Sequence, residues 1–116
     1  MSNLKPLVFV GGSKKNLLAL PSQVIDTFGY ALHLAQCGEK YESAYVLRGF
    51  GSAGVLEVIE DLRGNTYRCV YTVNVAGVVY VLHVFQKKST SGIATPQHDM
   101  DLIRERLKQA LSKSKE

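Results

Sequence analysis

Two apolar runs of strand length, residues 66–73 and 78–85, lie four residues apart and constrain this chain more than any other feature. Both are rich in Val and Tyr, which suit a pleated surface, and the connection 74–77 ends in Gly77. The pair reads as a tight antiparallel hairpin. Upstream, residues 55–60 read as another strand, with a turn over 61–65, and residues 44–47 as a short strand ahead of the glycine-rich loop 48–54. Strands this close together indicate an antiparallel meander.

Helical periodicity flanks the meander on both sides. Val24, Ile25, Phe28, Ala31, Leu32 and Ala35 recur at spacings of three and four, which predicts an amphipathic helix over 23–36, with Ser22 as N-cap and Gly38 as its stop. Gly29 inside it costs about 1 kcal/mol relative to Ala and predicts close packing there, while His33 falls off the apolar face. A brief helix over 14–20, capped by Ser13, and a strand over 4–10 precede it. A last helix is predicted over 97–112, with Thr95 as N-cap, Pro96 at the first position, and Met100, Ile103, Leu107 and either Ala110 or Leu111 on one face. Strand, two helices, three or four strands, helix is the order of an α+β fold, with a sheet of about four strands.

The 116 residues are one domain's worth, with residues 113–116 expected as a flexible tail. No apolar run approaches the ~20 residues of a membrane span, and the N-terminus lacks the apolar region of a signal peptide, so the expected location is the cytoplasm. Cys37 and Cys69 have no zinc-type spacing, and Cys69 reads as a small hydrophobe within a strand. The net charge of +4 permits a polyanionic partner without demanding one; much of it sits at Lys14, Lys15, Lys113 and Lys115.

Alternation within the hairpin sorts its residues by face. A connection closing symmetrically over 74–77 pairs Val73 with Val78, Tyr71 with Tyr80, and Arg68 with His83. An aromatic, apolar set then faces the helices, and Arg68, His83, Phe85 and Lys87 share the other face. Taken singly, Arg68 reads as an exposed strand residue, His83 as a hydrogen-bonded core histidine, and Lys87-Lys88 as a solvated strand end. Together they form a basic cluster beside an aromatic ring, a combination that suits gripping a phosphate backbone and stacking a base.

The stretch Thr66-Tyr67-Arg68-Cys69-Val70-Tyr71-Thr72-Val73, followed by Val79-Tyr80-Val81-Leu82-His83-Val84-Phe85-Gln86-Lys87-Lys88, resembles the phage-derived HigB-like family of the RelE/ParE toxin superfamily. Leu47-Arg48-Gly49-Phe50-Gly51, Val55-Leu56-Glu57-Val58 and Gly92-Ile93-Ala94-Thr95-Pro96 extend the likeness to residues 8–108. The resemblance implies a RelE-like fold, with helices on one face of an antiparallel sheet and the active surface on the opposite face. It implies the toxin of a type II toxin–antitoxin system, a metal- and cofactor-independent endoribonuclease that cuts mRNA on the ribosome. It also implies a helix-turn-helix antitoxin as partner.

Such cleavage needs a base for the 2′-hydroxyl, cations at the phosphate and an acid for the 5′-oxygen. In that scheme Arg68 and Lys87 hold the phosphate, assisted by Lys88 or Arg48. His83 transfers a proton, with His98 as a second candidate, and Phe85 or Tyr71 stacks a base. The resemblance departs at Ile59, where many relatives carry arginine. Two other readings compete: a ParE-like toxin that poisons gyrase by contact, and a degenerate toxin that retains only partner binding.

Overall fold

The computed structural model describes residues 3–51, 54–87 and 94–115. Its elements are β1 (Leu7–Phe9), α1 (Ser13–Leu18), α2 (Ser22–Gln36), β2 (Ala44–Val46), β3 (Val55–Leu62), β4 (Asn65–Val75), β5 (Val78–Lys87) and α3 (Gln97–Lys113). The α+β order read from the sequence is the order found. The sheet has five strands in the order β1-β5-β4-β3-β2, and it is mixed. β1 runs parallel to β5, Leu7 beside Val79 and Phe9 beside Val81. Its short apolar sequence could not announce a partner so far along the chain.

Both long hairpins close over two residues with positive φ, Arg63-Gly64 and Ala76-Gly77, the backbone of a type I′ turn. This tight closure carries β3 and β4 one or two residues beyond their expected ends at the turns, while β5 runs two residues further at its far end, to Lys87. It also corrects the hairpin register: Val75, not Val73, faces Val78, and Arg68 faces Phe85, not His83.

The helices cover both faces of the sheet. On one, Leu17 of α1 and Val24, Phe28, Ala31, Leu32 and Ala35 of α2 pack against Val58, Cys69, Tyr71, Val79, Val81 and Val84. On the other, Ile103, Leu107 and Ala110 of α3 pack against Val55, Val70, Val75, Tyr80 and Leu82. The stripe on α3 thus passes through Ala110, while Leu111 stays partly exposed. The resemblance implies an active surface opposite the helices; α3 lies on that surface because its apolar stripe has nowhere else to be buried.

The expected caps differ as well. Ser13 and Ser22 are the first helical residues, following Gly12 and Pro21. The buried Ser13 hydroxyl reaches across to the carbonyl oxygen of Val81 at 3.1 Å. Pro96 occupies the cap position of α3, and the Thr95 hydroxyl is used elsewhere. Gly29 is exposed, and a Cβ there would meet nothing within 4 Å, so no close approach explains it. No described helix is long and apolar enough to cross a membrane.

Candidate active site

A bulge in β5 builds the site. Val70 pairs with His83 but Tyr71 pairs with Val81, so Leu82 is an extra residue in its strand. Two consecutive side chains, Leu82 and His83, therefore point toward α3, and strict alternation fails at that step. It is the bulge that separates Tyr71 from Tyr80: Tyr71 is buried against α2 and Tyr80 against α3. Tyr71 is accordingly excluded as a stacking platform on the polar face.

Arg68, His83, Phe85 and Lys87 do share one face, as alternation predicts, but this face is largely closed. Arg68 is 2% exposed, His83 5% and Lys87 7%, whereas Phe85 is half-buried. Glu57, Ile59 and Asp61 of β3 pair with Val70, Arg68 and Thr66 and extend the row, so half-buried Ile59 sits directly beside Arg68. Arg68 is not the exposed cation the sequence implied. Its Nη1 lies 3.4 Å from Glu57 Oε2 and donates to the Thr95 hydroxyl at 3.1 Å; that hydroxyl in turn donates to Glu57 Oε2 at 2.9 Å.

His83 is held on three sides. Its Nε2 lies 2.8 Å from Asp99 Oδ1, and its Nδ1 lies 3.4 Å from Arg106 Nη1. The Phe85 ring stacks on the imidazole, with centroids 4.5 Å apart and planes within 15°. Arg106 also donates to the Leu82 carbonyl oxygen at 2.9 Å. It crosses Gly11, whose φ of +58° and missing side chain leave the space: a Cβ there would fall 2.8 Å from the guanidinium. Burial pushes the His83 pKa below its ordinary value, with Arg106 and His98 pushing the same way and Asp99 opposing them.

The other residues named from the sequence lie apart from this cluster. Arg48 is exposed in the turn after β2 and makes no hydrogen bond or ion pair with the described residues. Its loop leans on α3 instead, with Arg104 over the Phe50 ring at 5.3 Å. His98 is exposed in the first turn of α3. Lys88 lies outside the described residues. Sequence reasoning missed Asp99, Arg106, Glu57 and Thr95. Asp99, Ile103 and Arg106 share the inward face of α3 at spacings of four and three, a signal present in the sequence but attributable only once α3 is known to cross β5. Among the described residues, no group of three or more His, Cys, Asp or Glu is placed to hold a metal ion.

The fold and this row define an α+β protein whose mixed sheet carries a buried acid–base cluster under its last helix. The family model described as Phage derived protein Gp49-like (DUF891) matches residues 15–108, and the chain belongs to that family. No curated protein and no solved structure matches the chain.

Proposed function

We propose that this protein is the toxin of a type II toxin–antitoxin pair of the HigB-like branch, and that it cleaves mRNA on the ribosome without a metal ion. Membership in the phage-derived family supports the toxin assignment. The observation that carries the nuclease reading is the hydrogen-bonded His83–Asp99 pair, flanked by the half-buried Phe85 and by Lys87 on the same sheet face. A carboxylate–imidazole pair moves protons, an aromatic ring stacks an unpaired base, and an ammonium compensates charge building on a phosphate. The partner in this reading is a helix-turn-helix antitoxin that blocks the toxin, and the substrate is translated mRNA.

The test is to express the chain without a partner and map the 5′ ends of cellular mRNA by primer extension. Cuts within translated codons are the expected result. Growth arrest with intact mRNA would replace the nuclease by a contact-type toxin.

A second reading, a toxin fold that acts only by binding protein, draws support from the Arg68–Glu57 pair. A guanidinium neutralised in the core is poorly placed to grip a phosphate. Neither growth arrest nor cleavage in the same experiment would favour it.

A further inference from the structure

We propose that Asp99 is the catalytic base that meets the substrate 2′-hydroxyl, and that His83 is the positioning residue behind it. The inference rests on the nuclease reading and changes which member of the pair performs the chemistry.

The first argument is the hydrogen-bond inventory. A guanidinium only donates, so His83 Nδ1, facing Arg106 Nη1 at 3.4 Å, is the acceptor of that contact. The ring proton is then on Nε2, where it is donated to Asp99 Oδ1 at 2.8 Å. Both ring nitrogens are committed, and neither has a lone pair to offer a substrate. The tautomer is fixed from behind, because Arg106 is itself anchored on the Leu82 carbonyl oxygen.

The second argument is order of exposure. The His83 side chain is 6% exposed and the Asp99 side chain 17%. Running outward, the chain of contacts is Leu82 carbonyl, Arg106, His83, Asp99 and then solvent. Asp99 uses Oδ1 for His83, and Oδ2 has no partner among the described residues. A hydroxyl approaching from solvent therefore meets the carboxylate first. The groups facing the imidazole are Asp99, Arg106 and His98 from α3 and Phe85 from β5; burial disfavours its cation, which keeps it a neutral donor in support of the carboxylate.

In the step assigned to Asp99, its carboxylate takes the 2′-hydroxyl proton as the O2′–P bond forms. The P–O5′ bond breaks, the departing 5′-oxygen takes a proton from water, and the hydroxide left behind takes the proton from Asp99 and restores its carboxylate. The products are a 2′,3′-cyclic phosphate and a 5′-hydroxyl, with no change of oxidation state.

The experiment compares the cleavage rates of wild type, Asp99→Asn and His83→Gln in a translation extract programmed with a reporter mRNA. The glutamine amide can replace the Nε2–H donor. Asp99→Asn is expected to lose on the order of 100-fold or more in cleavage rate. His83→Gln, which restores that donor, is expected to lose only about tenfold. The imidazole ¹⁵N spectrum of the wild type, which needs no variant to fold, should show Nε2 protonated and Nδ1 bare. Cleavage by Asp99→Asn as fast as by His83→Gln, or an Nδ1-protonated ring, would overturn the assignment while leaving the nuclease reading standing. A wild type that leaves the message whole would overturn both.

Discussion

Arg68 Nη1 lies 3.4 Å from Glu57 Oε2, with side-chain exposures of 2% and 7%. An ion pair this deep is worth little against a well-packed apolar pair of the same volume, yet losing one partner strands the other charge away from water. Arg68→Ala and Glu57→Ala should each cost about 3–5 kcal/mol, whereas Glu57→Leu combined with Arg68→Met should cost far less. Urea unfolding of the three variants checks this, and equal losses in all three would refute mutual compensation. On the toxin reading it also governs how growth inhibition is interpreted: its loss in Arg68→Ala reports folding if the paired apolar variant retains it.

The pH dependence of stability follows from His83. Its folded-state pKa is lowered, mainly by burial, so between that value and the ordinary ~6.5 the unfolded chain binds the extra proton. Its contribution is complete above about pH 6.5 and declines as pH falls toward the folded-state pKa. Melting temperatures taken from pH 7.5 down to 5 should fall, and His83→Gln should flatten part of that slope. An unchanged slope in the variant would place the responsible group elsewhere.

Tyr71 is fully buried, and its hydroxyl has no hydrogen-bond partner among the described residues. Burial first, and Cys69 beside it second, push the phenol up to about 12. Removing an unsatisfied buried hydroxyl should be neutral or favourable, so Tyr71→Phe is expected to match or exceed wild-type stability by about 1 kcal/mol. A clear loss in thermal unfolding would reveal a partner for that oxygen.

Gly29 sits mid-helix with open space where a side chain would stand. Gly29→Ala should therefore raise stability by roughly 0.5–1 kcal/mol through helix propensity alone, read as an increase in melting temperature. Destabilisation would mean that the position is covered in solution.

The α2 and α3 stripes and the strands of the meander were legible because burial on one side imposes periods of 3.6 and 2 on the sequence. What escaped was set by single events that periodicity averages away. One extra residue at Leu82 sent Tyr80 and Tyr71 to opposite faces, and a two-residue turn at Ala76-Gly77 moved the register by two. The grouping of Arg68, His83, Phe85 and Lys87 survived because a shift of two keeps parity. Their partners did not emerge: Asp99 and Arg106 reach His83 from α3, and Thr95 reaches Arg68 from just ahead of it, contacts no local pattern encodes.

The pairing of β1 with β5 has a consequence for synthesis. Ser13 must find Val81, 68 residues later, and His83 must find Asp99 and Arg106 later still. Contacts that span most of the chain form slowly, and while the chain is being made their second halves do not yet exist. A nascent chain whose residues from 97 onward have not yet emerged therefore lacks both Asp99 and Arg106, and the cluster around His83 cannot assemble until α3 is in place.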